Sequence, residues 1–255
     1  MTFIDTHTHL YLKDFEKDIE EVIKKANEVG VEKFYLPAID SSETNALLSL
    51  EQAFPGKCFA MAGLHPCSVK ADYRTELEII NKQLTERSFA AIGETGLDFY
   101  WDRTFIKQQY DALQQQIDWA LHFDLPIVLH TRNATQETID VIANNKSNAL
   151  RGIFHCFSGT IDQAQQIASC GFFLGIGGVV TYKNSGLAEV ISNVSLEHIV
   201  LETDSPYLTP VPFRGKRNES SYLRLIAEKI AVLKNISVEE VAEITTKNAM
   251  SVFGN

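Results

Sequence analysis

Long apolar runs are missing from this chain. The longest, Phe172 to Val180, has nine residues, three of them glycine, whereas a membrane-spanning helix needs about 20. No segment is therefore expected to cross a bilayer. The opening residues Met1-Thr2-Phe3-Ile4-Asp5 carry neither the basic stretch nor the apolar core of a secretory signal, so the expected location is the cytoplasm. Cysteine is sparse: Cys58, Cys67, Cys156 and Cys170 form no C-x-x-C pair and read as reduced thiols rather than a disulfide framework. Positive charge is outweighed, with 23 Lys and Arg against 33 Asp and Glu and a formal net charge of -10. A protein that coats nucleic acid through a broad basic face is thereby excluded. An enzyme that reaches phosphate through metal ions at one spot is not. Gly175-Ile176-Gly177-Gly178 lacks the spacing of a dinucleotide fingerprint, and neither a P-loop nor a G-x-S-x-G elbow occurs.

What is present is ordinary globular composition, 45% hydrophobic and 22% charged, which rules out disorder and fibrous repeats. Short β-branched or aromatic runs alternate with amphipathic stretches. Strands are expected at Phe3–His7, Lys33–Pro37, Cys58–Ala62, Phe89–Gly93, Ile127–His130, Gly152–His155, Phe172–Ile176 and Ile199–Glu202. Helices follow nearly all of them, most clearly at Asp14–Val29, Thr75–Arg87, Thr104–Phe123, Gln136–Asn144 and Ser221–Lys234. Another begins at Ser237-Val238-Glu239-Glu240, a capping box. Eight strands in 255 residues give about 32 residues per unit, enough for a βα repeat. Apolar runs without alternation mark parallel strands covered on both faces. The expectation is one α/β domain over residues 1–255, a single (β/α)8 TIM-like barrel with its site at the C-terminal strand ends. A doubly wound sheet is the alternative that periodicity leaves open.

The metal-capable residues fall where such a barrel would gather them. His7 and His9 end the first strand and, two apart, project to one side. His65 lies beyond the third strand and Glu94 follows the fourth. His130 and His155 end the fifth and sixth, and Asp204 follows the eighth. Buried carboxylates without partners cost several kcal/mol, roughly what a cation would relieve. Four imidazoles and two carboxylates exceed the needs of one four-coordinate ion and suit two divalent ions. Zinc, manganese or magnesium remain open. His122, at a helix end, and His198, before a strand, read as ordinary surface or packed residues. Cys67 and Cys156 read as packing neighbours of His65 and His155.

These motifs resemble the TatD family of metal-dependent deoxyribonucleases, within the amidohydrolase-like barrel hydrolases. They are Asp5-Thr6-His7-Thr8-His9, Gly63-Leu64-His65-Pro66, Gly93-Glu94-Thr95-Gly96-Leu97-Asp98 and His130-Thr131-Arg132. Then come His155-Cys156-Phe157-Ser158-Gly159, Glu202-Thr203-Asp204-Ser205-Pro206-Tyr207 and Arg214-Gly215-Lys216-Arg217-Asn218-Glu219. The resemblance implies a TIM-like fold, His7, His9, Glu94, His130, His155 and Asp204 as metal ligands, and hydrolysis of DNA phosphodiesters, often from a 3′ end. The family usually continues Arg-Asn-Glu with Pro where this chain has Ser220. Little change beyond that local turn is expected.

The expected chemistry follows from charge. Two divalent ions bring +4 and the two carboxylates return −2, so a concave site near +2 attracts a phosphodiester despite the acidic chain. Metal coordination lowers the pKa of water from 15.7 to about 7, and the expected reaction is attack of that hydroxide on phosphorus. Asp204 is the candidate proton acceptor, Glu94 or a hydroxide stands between the ions, and His65 is a donor to substrate or a support for a ligand. Arg132 either grips phosphate or is merely solvated at a helix start. Arg214 and Lys216, with Arg217, belong to the only dense basic run, read either as a phosphate contact or as a solvated face. Tyr100 and Trp101 either stack on a base or pack into the fold. Asp98 either orients a ligand or caps its loop. The partner expected is DNA, as a single strand or 3′ end, with no membrane and no second subunit. Two other classes stay open, a metal-dependent amidohydrolase or lactonase on a small cyclic amide or ester, and a non-catalytic metal binder.

Overall fold

The computed structural model describes residues 1–145 and 149–254. In chain order it runs β1 (Phe3–Asp5), α1 (Ile19–Glu28), β2 (Val31–Leu36), α2 (Thr44–Ala53), β3 (Cys58–Ala60) and α3 (Tyr73–Glu86). Next come β4 (Ile92–Asp98), α4 (Ile106–His122), β5 (Ile127–Arg132), α5 (Thr135–Asn144), β6 (Gly152–Phe154) and α6 (Ile161–Ser169). The chain finishes with β7 (Phe172–Ile176), α7 (Leu187–Asn193), β8 (Ile199–Leu201), α8 (Leu223–Lys234) and α9 (Val238–Phe253). Strands β1 to β3 pair in parallel, as do β4 to β8. Backbone hydrogen bonds join the two groups at both seams. Gly93 N–H donates to Ala62 O at 2.9 Å, and Thr6 N–H to Leu201 O at 3.1 Å. The result is the expected (β/α)8 TIM-type barrel.

Alternation along the strands explains why both faces are apolar. Ile4, Tyr35, Val128, Ile153 and Val200 join one cluster with Met61 and with Ala249 and Val252 of α9. Their strand neighbours Phe3, Phe34, Leu36, Ile127, Leu129, Ile199 and Leu201 join the larger cluster beneath the helices. Period-2 geometry assigns the two sets to opposite faces, and burial of each face favours the fold at roughly 25 cal/mol per Å2. Where β4 meets β5 there is no room for a side chain. A Cβ on Gly96, whose φ is +141°, would stand 2.1 Å from His130 O.

Two expected elements shift. The helix expected over Asp14–Val29 begins at Ile19, after a 3-10 turn at Lys13–Phe15. Arg217 takes the Asp14 carbonyl and the Asp18 carboxylate, and Phe15 is fully buried, so tertiary contacts override the helical pattern. The fourth strand is Ile92–Asp98 rather than Phe89–Gly93, which puts Glu94 inside β4 instead of after it. The helix expected from Ser237 forms with its capping box complete.

Helix α4 carries a polar anchor on its buried face. Gln116 accepts from Leu64 N–H at 2.7 Å and donates to Thr95 Oγ1 at 2.6 Å, holding the segment before His65 against β4. Gln116→Ala strips the buried Leu64 N–H of its acceptor and is expected to destabilise the fold by about 2 kcal/mol. Urea denaturation of the purified variant reads this as a lower midpoint at unchanged slope.

Candidate metal centre

The expected ligands converge on Glu94. Its Oε2 stands 3.0 Å from His7 Nε2 and 3.6 Å from His9 Nε2. Its Oε1 stands 2.8 Å from His130 Nδ1, 2.9 Å from His155 Nε2 and 3.3 Å from His65 Nε2. Asp204 Oδ1 closes the ring at 3.5 Å from His9 Nε2 and 3.7 Å from His7 Nε2. Asp204 holds a left-handed φ of 56°, and its N–H donates to His7 O at 2.9 Å, so the first and eighth strand ends lock together. Donor atoms within 4.8 Å of one another form three sets: His7, His155 and Asp204; His7, His9 and Glu94; and His65, Glu94 and His130.

Outer partners decide which nitrogen each ring offers. Tyr11 hydroxyl donates to Pro37 O at 2.7 Å, so its oxygen accepts from His9 Nδ1–H at 3.0 Å, and His9 Nε2 faces inward with its lone pair. Asp98 Oδ2 lies 2.9 Å from His130 Nε2, which leaves His130 Nδ1 toward Glu94. Glu202 Oε1 lies 3.4 Å from His155 Nδ1, a charge contact without hydrogen-bond geometry. Outer carboxylates and carbonyls that do hydrogen-bond fix the tautomer of metal-binding histidines. His65 differs, because its Nδ1 accepts from Cys67 N–H at 3.0 Å. The neutral ring then carries its proton on Nε2, as a donor. Both His7 nitrogens are buried without a hydrogen bond. Buried polar atoms are rarely left so, and a cation among these donors suits them.

Electrostatics agree with the geometry. Burial opposes charge on Glu94, yet His155, His65 and His7 together with the His130 hydrogen bond hold it well below the carboxylate range. Burial likewise works against protonated His155, but Glu94 and Glu202 raise it well above the imidazole range. His130 is also raised, with Asp98 and Glu94 outweighing burial. Burial lowers His7, and the neighbouring His155 lowers it further. In the ion-free chain His155 and His130 thus hold protons more firmly than free imidazoles, and ions must expel them. Metal affinity is therefore expected to weaken from pH 8 to pH 6, with proton release. Calorimetry in buffers of different ionisation enthalpy measures both.

The remaining candidates separate. Trp101 and Arg132 line a cavity of about 1460 Å3 that also reaches His9, His65, Glu94, His130, His155 and Asp204. Neither Arg214 nor Lys216 lines it; Arg214 lies 4.2 Å from the centre of the Tyr182 ring and Lys216 5.5 Å from that of Phe213. Arg217 grips Asp18 at 2.7 and 2.9 Å and Glu219 at 2.9 Å, a clamp between two loops. Asn218 completes it, donating to Thr203 O at 2.7 Å and Tyr207 O at 2.6 Å on either side of Asp204. Asp98 plays both expected parts, since its other oxygen accepts from Tyr100 and Trp101 N–H. The described cysteines are free, and none belongs to the donor sets. His122 ends α4 and His198 precedes β8, both outside those sets.

Sequence reasoning missed Tyr11, Glu202 and Asn218. A carboxylate closing the apolar run Ile199-Val200-Leu201 signals Glu202, because a buried charge there needs partners. A Cβ on Gly175 would stand 2.1 Å from Glu202 Oε2, so that glycine makes the room. The Ser220 departure also reaches beyond its turn. Its side chain is buried, with its hydroxyl 3.4 Å from Thr8 Oγ1, between the two histidines of the first strand end.

Comparison with known proteins identifies the family and the fold. The family model described as TatD related DNase matches residues 4–254. The uncharacterized metal-dependent hydrolase YabD of Bacillus subtilis is 36% identical over 250 residues, covering 98% of each chain. The 3'-5' ssDNA/RNA exonuclease TatD of Erwinia tasmaniensis is 31% identical over 256 residues, again covering 98% of each. The crystal structure of YjjV, a TatD homologue from Escherichia coli, superposes with a TM-score of 0.94 at 28% identity, over 99% of this chain and 98% of that one.

Proposed function

We propose that this chain, which belongs to the TatD-related DNase family of metal-dependent hydrolases, hydrolyses phosphodiester bonds at the 3′ end of a DNA strand. One observation carries the reading. Outer partners turn imidazole nitrogens of His9 and His130 toward Glu94, and His155 Nε2 stands 2.9 Å from it, at the base of an open cavity that Arg132 also lines. The exonuclease named among its relatives, 31% identical, supports the polarity. Among the described residues no helix is long and apolar enough to cross a membrane.

His7, His9, Glu94, His130, His155 and Asp204 would hold two divalent ions, whose nitrogen and oxygen donors fit zinc, manganese or magnesium. When bound, such ions supply positive charge and acidify water from 15.7 to about 7. The chain's own groups do the rest. Burial works against charge on Asp204, but its hydrogen bond with His9 and the nearby His155 and His7 hold it below the usual carboxylate range. It therefore stays ionised and accepts the proton of the attacking water. His65 Nε2–H donates to the phosphate or the leaving oxygen. Arg132 grips a phosphate with paired N–H donors, while Arg214 and Lys216 would meet phosphates farther along the strand. Residues 1–255 act in this reading as one hydrolase domain and as a monomer.

The test is digestion of a 3′-labelled single-stranded oligonucleotide with added divalent ion, beside a Glu94→Ala control. Stepwise loss of 3′ nucleotides by the wild type alone supports the reading. An untouched oligonucleotide alongside an opened lactone or cyclic amide would overturn it.

A further inference from the structure

Two aromatic rings stand exposed beside the metal centre with no packing reason to be there. Trp101 is 67% exposed and Tyr100 51%, edge to face with centroids 4.9 Å apart. Exposure at that level removes the packing alternative for Trp101. The rings are nevertheless held in place, because Asp98 accepts both backbone N–H groups at 2.9 and 3.0 Å. The same carboxylate bonds His130 Nε2 at 2.9 Å, so one side chain sets both a donor of the centre and the aromatic pair. Arg132, on the strand that carries His130, lays its guanidinium 4.2 Å from the Tyr100 centroid and 5.4 Å from that of Trp101. No carboxylate pairs with Arg132 among the described residues.

We propose that Trp101, Tyr100 and Arg132 form a nucleobase subsite, which receives an unpaired base of the strand whose phosphodiester lies at the Glu94 cluster. The inference rests on the nuclease reading for the presence of that strand. A flat indole face, an adjacent free guanidinium and a neighbouring phosphate site match one chemical unit, an aromatic base joined to an anionic backbone. Stacking is indifferent to base identity, since every base has a π-face. A base inside a duplex has both faces covered by its neighbours, so the subsite selects strands or ends with unstacked bases.

The experiment follows Trp101 itself. The protein contains two tryptophans, and the other, Trp119, is buried in α4. A phosphorothioate-linked thymidine oligonucleotide is expected to quench the wild-type fluorescence, and an abasic strand of equal length is not. The quench should vanish in Trp101→Phe, whose exposed position leaves the fold intact. In steady-state digestion the wild type should favour a base-bearing over an abasic strand by about ten-fold in KM, and Trp101→Ala should lose that preference. Hydrolysis without any quench, or a Trp101→Ala variant that keeps the preference, overturns the subsite. Quenching by the base-bearing strand alone, without hydrolysis under any divalent ion, supports the subsite and overturns the nuclease reading.

Discussion

Glu94→Gln is expected to lower hydrolysis at least about 10^3-fold and to leave the protein short of metal. Five imidazoles stand between 2.8 and 3.6 Å from its carboxylate oxygens. Glutamine keeps the shape but removes the charge that keeps His155 and His130 basic, and its NH2 group has no lone pair to offer an ion where a carboxylate oxygen stood. Groups aimed at developing charge are each worth roughly 10^2 to 10^3 in rate, and Glu94 is the carboxylate that all five imidazoles would share in holding an ion. Metal analysis after dialysis should show the deficit, while circular dichroism shows a native barrel. The variant should also release fewer protons when ions bind, since His155 and His130 no longer gain from a neighbouring anion. Wild-type metal content together with wild-type rate would remove Glu94 from the centre of the mechanism.

Asp204→Asn is expected to cost about 10^2- to 10^4-fold in kcat, the range associated with a positioned acid or base. It separates two duties of one side chain. Its N–H bonds His7 O at 2.9 Å and its φ is 56°, a conformation that asparagine tolerates as readily as aspartate, so the loop should survive. What goes is the proposed proton acceptor. The signature is a loss in kcat with KM little changed and with measurable ion binding. A variant retaining both ions and full activity would strip Asp204 of the role of base.

The gathering of distant ligands was legible because a parallel barrel brings the C-terminal ends of its strands to one face. Residues as remote as His7 and Asp204 needed only to be strand-end residues to be predicted neighbours. What supports them was not legible. Tyr11 reaches Pro37 O, Glu202 reaches His155, and Asn218 reaches the carbonyls flanking Asp204. Each is a long-range polar contact with no period or spacing to announce it. Arg217 is instructive in the other direction. In the sequence it belongs to a basic run suited to phosphate, but in the fold its donors are taken by Asp14, Asp18 and Glu219. Composition reports which charges exist, and only tertiary structure reports which are already engaged.

The bonds from Thr6 to Leu201 and from Asp204 to His7 have a consequence for how the protein comes into being. A growing polypeptide on the ribosome presents His7 and His9 early and Glu94, His130 and His155 next, but Asp204 only when four-fifths of the chain has been made. Until then the donors already synthesised belong to an unclosed sheet that lacks the Asp204 carboxylate. Completion of the donor cluster is therefore a late event in biosynthesis, coincident with closure of the last strand against the first. A truncated product lacking the eighth strand would leave the barrel open and the donor cluster without Asp204.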